Sequence, residues 1–145
     1  MSRSDLINPR RMLPDVTLPD SGGAARRVRA RGDRSVLLAL VHGGCEECRA
    51  WVAKLADEGA EIMAWRGEVK VVAPRVAEYP FPVLLDADAR LAALVGVAVP
   101  AVVIADQWGA IHEATEGHEF IPIESVVEWI RYLATECPEC EGEAY

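Results

Sequence analysis

The strongest constraint on the fold is a continuous apolar run, residues 35–41 (Ser-Val-Leu-Leu-Ala-Leu-Val), followed at once by residues 42–48 (His-Gly-Gly-Cys-Glu-Glu-Cys). A run of this length and composition is typical of a central strand that is buried on both faces. The two glycines indicate a turn, and apolar residues then recur at helical spacing over residues 49–65. We expect this helix to bend or break near Gly59. The pattern predicts a strand–turn–helix unit with a Cys-x-x-Cys pair at the start of the helix.

The rest of the chain alternates in a similar way. The other expected elements, in order, are an extended segment at 14–19, a turn at 20–23, a return strand at 28–31, a strand at 69–73, a short helix capped by Asp86 and ended by Gly96, a strand at 101–105, a turn at 106–109, a return strand at 111–114 and an amphipathic helix at 122–135. Strands joined through helices pair in parallel, whereas a tight hairpin pairs antiparallel. The sequence therefore predicts an α/β fold with a mixed central sheet, helices on both faces and an N-terminal β-hairpin extension.

Length and charge limit the classes of function. A chain of 145 residues with 51% hydrophobic residues is sufficient for one domain, and its net charge of −8 argues against nucleic acid or an anionic membrane as the main partner. We expect a flexible arm at residues 1–11, a single domain at 12–136 and a tail at 137–145. The N-terminal residues lack the apolar core of a secretory signal, so a cytoplasmic location is expected. Four cysteines in two Cys-x-x-Cys pairs then indicate redox chemistry or metal binding rather than structural disulfides.

Three further segments carry a resemblance to a known family. They are residues 13–23 (Leu-Pro-Asp-Val-Thr-Leu-Pro-Asp-Ser-Gly-Gly), residues 81–97 (from Phe-Pro-Val-Leu-Leu-Asp to Leu-Val-Gly-Val) and residues 99–104 (Val-Pro-Ala-Val-Val-Ile). Together with the Cys-x-x-Cys turn, they resemble the thioredoxin-like superfamily, and more narrowly its redoxin branch. The resemblance implies a thioredoxin fold over residues 13 to about 135. It also implies a disulfide oxidoreductase activity.

The chain departs from the peroxiredoxins within that branch. Peroxiredoxins have a proline seven residues and a threonine three residues before the peroxide-reacting cysteine, and counting back from Cys45 gives Leu38 and His42 instead. The arginine that activates peroxide in that family is replaced by Pro100. The site therefore resembles a thioredoxin-type dithiol on a peroxiredoxin-like scaffold.

The pair Cys45 and Cys48 is the candidate catalytic centre. The thiolate is the form that attacks a disulfide, and a helix N-terminus stabilises it through free backbone N–H groups and the helix dipole. We expect Cys45 to be the exposed nucleophile and Cys48, about one turn later, to resolve the mixed disulfide. The first-turn acids Glu46 and Glu47 are expected to oppose thiolate formation, which favours a reductase or isomerase, and either acid could pass a proton to Cys48. His42 is a further candidate modulator, although a polar residue at a strand end is the simpler interpretation.

The resemblance also implies a substrate-binding role for Val99 and Pro100. In thioredoxins the corresponding loop holds a cis-proline against the dithiol, so the Val99–Pro100 bond is predicted to be cis. A proline in this position would also hinder the approach of a metal to the pair. The two other histidines, His112 and His118, are interpreted as surface residues. For the tryptophans, we expect Trp51 and Trp65 in the core and Trp108 at an exposed turn.

Each cysteine pair is a candidate for metal binding. Two thiolates alone leave a structural zinc two ligands short, so no metal is predicted at Cys45 and Cys48. The second pair, Cys137 and Cys140, follows the last helix, which we expect to run away from the first pair. The simplest interpretation is a mobile tail with a local disulfide or free thiols. The alternatives are zinc shared between two copies in a homodimer and redox exchange with another protein.

These observations leave three hypotheses about function. The first is a thiol–disulfide oxidoreductase that acts on a protein or small-molecule disulfide and is recharged by a thiol electron-donor system. The second is a thiol peroxidase of the peroxiredoxin type, with an antioxidant role. The third is a non-enzymatic protein of redoxin fold that binds a metal or a partner through its cysteines. No cofactor is predicted for the first hypothesis.

Overall fold

A five-stranded mixed sheet forms the centre of the fold. The fold is taken from a computed structural model of the chain, in which residues 11–135 are described. The strands are β1 (Thr17–Pro19), β2 (Ala25–Arg27), β3 (Ser35–Leu40), β4 (Gly67–Ala73), β5 (Val83–Leu85), β6 (Ala101–Ala105) and β7 (Ile111–Glu116). The helices are α1 (Glu46–Ala56), α2 (Gly59–Ala64), α3 (Arg90–Val95) and α4 (Ile123–Thr135). The sheet order is β5-β4-β3-β6-β7, and β1 and β2 form a separate two-stranded hairpin.

Strand β3 lies in the middle of the sheet, as its apolar sequence predicts. It pairs in parallel with β4 and antiparallel with β6, and all six of its residues are buried. Strands β4 and β5 are also parallel, while β6 and β7 form the antiparallel hairpin. The expected division into a helix-linked parallel half and a hairpin half is confirmed.

The two faces of β3 contribute to two different cores. Because side chains alternate along a strand, Leu37 and Ala39 face one side, whereas Val36, Leu38 and Leu40 face the other. The first core is closed by α1, α2 and α4 through Trp51, Val52, Leu55, Ile62, Val126, Ile130 and Leu133. The second is closed by α3 and the N-terminal segment through Leu91, Ala92, Val95, Leu13 and Val28. The sheet is thus covered on both faces, as expected.

The N-terminal hairpin returns earlier than predicted. The expected return strand at 28–31 is wrong, because β2 ends at Arg27. Val28 is fully buried in the second core. The Lys70 amine donates to the backbone carbonyls of Arg27 and Arg29, on either side of Val28, at 2.8 and 3.0 Å. The N–H of Val28 still donates to the Val16 carbonyl at 2.9 Å, and beyond that bond the lysine satisfies carbonyl groups of the returning segment.

The long helix over residues 49–65 is two helices. Helix α1 already begins at Glu46, and the break falls at Asp57 and Glu58, so that Gly59 is the first residue of α2. The expected break near Gly59 is confirmed. The short helix α3 ends at Gly96 as predicted, with a φ of 86°. Its N-cap residue is Ala89 and not Asp86, but the Asp86 carboxylate still accepts from the first helical N–H groups, those of Arg90 and Leu91, at 3.0 and 2.9 Å.

The chain ends are described only in part. Residues 1–10 of the expected arm and the Cys137–Cys140 pair of the expected tail lie outside the described residues, so the proposed domain layout stays a prediction. Arg11, placed at the end of the arm, donates from its guanidinium to the carbonyl of Val95 at 2.8 Å. Among the helices of residues 11–135, none is long and apolar enough to cross a membrane.

Candidate active site

The two cysteines lie at the point where the chain leaves the central strand and enters α1. Strand β3 ends at Leu40, and Gly44 has a φ of 69°, a left-handed conformation that glycine adopts without steric cost. This turn places Cys45 at the N-cap of α1 with an extended backbone, and Cys48 in the first turn. Both are free thiols. The strand–turn–helix unit predicted from the sequence is confirmed.

The sulfur of Cys45 is the acceptor at the helix N-terminus. The backbone N–H of Cys48 donates to Cys45 Sγ at 3.2 Å, so the thiol occupies the place of a capping oxygen. Burial on its own would raise the pKa of Cys45 from 9.0. Hydrogen bonds from the side chain and backbone of Cys48, and then from His42 and His118, outweigh it and lower the pKa to about 6. Cys45 is therefore largely thiolate at neutral pH.

Cys48 has the opposite environment although it is only three residues away. Its side chain is fully buried against the first core, whereas Cys45 is half-buried. Burial, then the hydrogen bond to Cys45, raises the pKa of Cys48 to about 12, and the negative charge of Glu47 contributes in the same direction. The expected effect of the first-turn acids thus falls on the buried cysteine. Glu46, the other candidate modulator, is exposed at the start of α1.

His42 connects the cysteine turn to the segment that precedes β6. Its Nε2 lies 3.1 Å from the carbonyl oxygen of Val99, and because a carbonyl only accepts, Nε2 donates a proton in this hydrogen bond and Nδ1 is the nitrogen that remains for other partners. The Val99–Pro100 peptide bond is cis, as predicted. Pro100 is buried and immediately precedes β6, whose first residue pairs with Leu40. Contact between Pro100 and the sulfurs stays a prediction.

His118 is a surface residue, as interpreted from the sequence, and it also faces the cysteines. Its Nε2 lies 3.6 Å from Cys45 Sγ and 3.8 Å from Oε1 of Glu47. The rings of His42 and His118 are 5.2 Å apart, so both imidazoles surround the same sulfur. His118 is exposed, with 40% of its side chain accessible. The cluster around Cys45 is therefore open to solvent on the His118 side.

Helix α1 itself holds the loop that carries His118. Trp51, one turn after Cys48, stacks on Phe120 at 5.4 Å and donates from its indole to the carbonyl of Ile121 at 2.9 Å. The edge of Phe120 in turn packs against the ring of His118. One sequence signal could have identified His118: the last helix was expected to start at the active-site edge, and this loop directly precedes it.

The predicted burial of the tryptophans and of His112 is only partly confirmed. Trp51 is buried as expected, and Trp108, at the β6–β7 turn, is 40% exposed. The assignment of His112 to the surface is wrong: its side chain is 7% exposed and its Nε2 lies 2.8 Å from a carboxylate oxygen of Asp106. His112 is thus part of the interior. Trp65, expected in the core, is half-buried and packs at the edge of the first core.

Four potential metal ligands converge at the turn. One ligand atom from each of His42, Cys45, Cys48 and His118 lies within 4.8 Å of the other three. The sequence argument that left a zinc at this pair two ligands short therefore does not hold, since the two histidines complete a set of four. The same arrangement suits dithiol chemistry: a half-buried thiolate that is open to solvent on the His118 side, a buried thiol behind it and two imidazoles beside the sulfur.

Comparison with known proteins identifies the fold. No protein-family model and no curated protein matches the chain. Among solved structures, a putative thiol:disulfide interchange protein DsbE from Chlorobium tepidum has a TM-score of 0.71 at 20% identity, covering 88% of this chain and 97% of its own. Peroxiredoxin Q from Xanthomonas campestris has a TM-score of 0.74 at 13% identity, covering 88% and 98%. A putative protein disulfide isomerase from Bacteroides thetaiotaomicron has a TM-score of 0.72 at 17% identity, covering 92% and 94%.

These matches show a thioredoxin-like fold that spans nearly the whole of each neighbour. They include thiol–disulfide oxidoreductases and peroxiredoxins alike, which agrees with the resemblance stated from the sequence. At such low identity the likeness concerns the backbone, and the type of redox reaction has to be argued from the residues of this chain.

Proposed function

We propose that this protein is a thiol–disulfide oxidoreductase of the reductase or isomerase type, with Cys45 as nucleophile and Cys48 as resolving thiol. The observation that carries the proposal is the asymmetry of the pair. Cys45 Sγ accepts a backbone hydrogen bond at the N-terminus of α1 and faces two imidazoles, while Cys48 is fully buried behind it. An exposed activated thiolate and a protected second thiol are what a two-step exchange requires.

The reaction balances as two successive thiol–disulfide exchanges. The thiolate of Cys45 attacks one sulfur of a substrate disulfide, and the other substrate sulfur leaves as a thiolate that takes up a proton. Cys48 then loses its proton, attacks Cys45 Sγ of the mixed disulfide and releases the second substrate thiol. The protein is left with a Cys45–Cys48 disulfide, having given two electrons to the substrate. A dithiol donor restores it by the reverse exchange.

Individual side chains around the pair support these steps. His118 Nε2, 3.6 Å from Cys45 Sγ and open to solvent, is positioned to protonate the leaving thiolate. Oε1 of Glu47 lies 3.8 Å from the same nitrogen, so a carboxylate adjoins this imidazole. The pKa of about 6 at Cys45 lies between about 3.5 in the most oxidising enzymes of this class and about 7 in thioredoxin. That intermediate value favours a reductase or isomerase over a strong oxidant.

Substrate binding is assigned to the segment around Val99 and Pro100. An extended peptide beside the dithiol could pair with backbone groups on this side, because the hydrogen bond from His42 Nε2 to the Val99 carbonyl at 3.1 Å joins this segment to the cysteine turn. Protein or small-molecule disulfides are the proposed substrates, and a thiol system is the proposed electron donor. The cytoplasmic location stays a prediction.

A thiol peroxidase is the second candidate, favoured by the likeness of the backbone to peroxiredoxin Q. A peroxidase of that type needs groups that polarise the peroxide next to the reacting thiolate. At the corresponding positions this chain has His42, whose Nε2 is hydrogen-bonded to Val99, and Pro100, which has no N–H to donate. The local chemistry therefore favours disulfide exchange.

Parallel assays separate the two candidates. The chain, with a chelator present, is compared for turnover of a protein disulfide and of hydrogen peroxide, with dithiothreitol as donor in both assays. We expect disulfide reduction that is abolished by Cys45→Ser, with peroxide consumption at the rate of a free thiol of similar pKa. Peroxide turnover far above that rate, with no disulfide reduction, would contradict the proposal in favour of the peroxidase.

A further inference from the structure

We propose that the reduced protein binds one Zn²⁺ through the sulfurs of Cys45 and Cys48 and one ring nitrogen each of His42 and His118. The inference goes beyond dithiol exchange and does not depend on it. Its basis is the convergence of two thiol sulfurs and two imidazole nitrogens within 4.8 Å of one another. Two sulfur and two nitrogen ligands are the donor set that zinc takes in four-coordinate structural sites.

The spacing of the ligand atoms fits a tetrahedral site. Zinc–sulfur and zinc–nitrogen bonds of about 2.3 and 2.05 Å, at the tetrahedral angle, put a sulfur and a nitrogen ligand about 3.6 Å apart. Cys45 Sγ and His118 Nε2 are 3.6 Å apart. The remaining pairs of ligand atoms are at most 4.8 Å apart. Side-chain rotations that move these atoms by about 1 Å would bring all four to bonding distance of one ion.

The environment of His42 already resembles that of a metal ligand. A histidine that binds a metal through one nitrogen usually donates its other N–H to a carbonyl or carboxylate, which fixes the tautomer and the ring orientation. Nε2 of His42 donates to the Val99 carbonyl at 3.1 Å, so Nδ1 is the nitrogen that remains to bind a metal. The Val99–Pro100 segment, expected from the sequence to hinder a metal, therefore orients one of the ligands.

The accessibility of the four residues provides a path for the ion. Cys48 is fully buried and Cys45 and His42 are half-buried, while His118 is exposed. A metal would enter on the His118 side, where the cluster is open to solvent. Two thiolates already neutralise a divalent cation, and Glu47, beside His118, adds a further negative charge at the opening of the site. Because His118 is a ligand at this opening, its loss should weaken metal binding but leave the path to the other three ligands open.

Zinc binding and disulfide exchange exclude one another. Zinc holds both thiolates, so Cys45 cannot attack a disulfide while the ion is bound. Conversely, when the metal-free dithiol has been oxidised by a substrate disulfide, with the two substrate sulfurs leaving as thiolates that take up protons from Cys48 and solvent, the Cys45–Cys48 disulfide no longer offers two of the four ligands. The oxidised protein would thus not hold zinc, and zinc would keep the reduced dithiol inactive.

The test is a metal titration of the full chain in its reduced form. A second sample carries Cys137→Ser and Cys140→Ser, which removes the other cysteine pair as a source of binding. Co²⁺ is added first, because its absorption distinguishes tetrahedral from octahedral sites and shows thiolate ligation, and Zn²⁺ then displaces it in competition with a chromophoric chelator. We expect one tetrahedral, thiolate-bound Co²⁺ per chain in both samples, and full displacement by Zn²⁺.

Single substitutions assign the ligands. His118→Ala and His42→Ala should each weaken Zn²⁺ binding by at least about tenfold, the lower end of what loss of even an outer-shell partner costs. Glu119→Gln, at the exposed residue next to His118, should leave the affinity for Zn²⁺ unchanged.

Three outcomes would each overturn the proposal. They are an octahedral Co²⁺ spectrum, loss of the one-to-one stoichiometry in the Cys137→Ser/Cys140→Ser protein, and wild-type affinity in both histidine variants. Disulfide exchange measured with a chelator present is unaffected by any of these outcomes, so the two proposals fail separately.

Discussion

Two histidines six residues apart, His112 and His118, have very different environments. In the β6–β7 hairpin, His112 is 7% exposed, lies 2.8 Å from the equally buried Asp106 and packs its ring against Trp129. In the loop before α4, His118 is 40% exposed and lies 3.6 Å from Cys45 Sγ and 3.8 Å from a Glu47 that is 70% exposed. The first histidine is enclosed by short contacts, whereas the second has longer contacts and open solvent.

The difference indicates which histidine is available for chemistry. The carboxylate of Asp106 also accepts from the backbone N–H groups of Trp108 and Ala110, so His112 belongs to a network that fixes the hairpin turn. A buried network of this kind contributes to stability and resists change. His118 has room to rotate, to exchange a proton with solvent and to approach a ligand at Cys45. The interior region should therefore govern folding, and the region around Cys45 should govern reactivity.

The largest effect should appear in the reactive region, as a difference between its two cysteines. With pKa values of about 6 and about 12, Cys45 is mostly thiolate at neutral pH and Cys48 almost entirely thiol. Brief alkylation of the reduced, metal-free protein, mapped by mass spectrometry, should label Cys45 at least about a thousandfold faster than Cys48. Cys48→Ser should retain the mixed disulfide with substrate, whereas Cys45→Ser should not form one. Faster labelling of Cys48 would reverse the two roles.

The next largest effect should appear in the interior region. His112→Ala leaves the buried Asp106 carboxylate without its 2.8 Å partner, and we expect the free energy of unfolding to fall by about 2 to 4 kcal/mol. His118→Ala, at an exposed position, should change it by less than about 0.5 kcal/mol. Urea denaturation of the reduced proteins measures both. If the two variants lost similar stability, the distinction between the two histidines would be wrong.

The two regions also differ in how far the sequence predicts them. The hairpin elements follow from local patterns: Asp106 and Gly109 form the expected turn, with Gly109 at a φ of 91°. The burial of His112 does not follow, because it depends on Trp129 of α4 packing across the strand. Alternation along a strand shows which face a residue is on, but the helix that covers that face comes from elsewhere in the chain.

The same reason explains what was missed at the candidate site. Cys45, Cys48 and the cis bond at Pro100 were predicted because they lie within recognisable local segments. His118 is 73 residues from Cys45 along the chain, and its position depends on the contact of Trp51 with Phe120 and Ile121. A ligand set assembled through such a contact leaves no spacing pattern in the sequence.

A smaller effect should separate the two histidines by pH. The folded pKa of Cys45 is about 6 against an ordinary value of 9.0, so the thiolate contributes stability to the reduced protein that is complete above pH 9.0 and is lost as the pH falls through about 6. Reactivity should follow the same thiolate and decline below about 6. His118→Ala removes one hydrogen-bond donor, so the midpoint should move upward, whereas His112→Ala should leave it in place.

Ultraviolet absorbance of the thiolate, recorded against pH in the presence of a chelator, gives that midpoint directly. Cys48, whose pKa is raised to about 12, titrates well above the range in question and does not obscure it. The Cys48→Ser protein serves as a control that the signal belongs to Cys45. An unchanged midpoint in His118→Ala, or an equal shift in His112→Ala, would contradict the assignment of His118 to the reactive region.

The smallest effect is expected from the cysteine pair that follows α4. Cys137 and Cys140 lie outside the described residues, but the course of α4 is known. The helix begins beside the candidate site, where the Ile121 carbonyl accepts from Trp51. Near its end, the Ala134 carbonyl accepts from Arg66, whose own carbonyl accepts from the N–H of Ser35 at the start of β3. Cys45 follows the other end of β3, so α4 runs along the length of the central strand, from the end near Cys45 to the end near Ser35.

From this course we expect the pair that follows α4 to be distant from Cys45. Thirteen helical residues advance about 20 Å, and the two residues from Thr135 to Cys137 can add back at most about 7 Å. We therefore predict that Cys137 does not exchange with Cys45 of the same chain while α4 is intact. Replacing Cys137 and Cys140 by serine should leave the rate of disulfide reduction with dithiothreitol within about twofold, since the small donor reaches Cys45 directly. A natural protein donor, or a second copy of the chain, is where these cysteines could still have an effect. Loss of most activity in the serine protein even with dithiothreitol would mean that the two pairs exchange directly, and that α4 opens for them to do so.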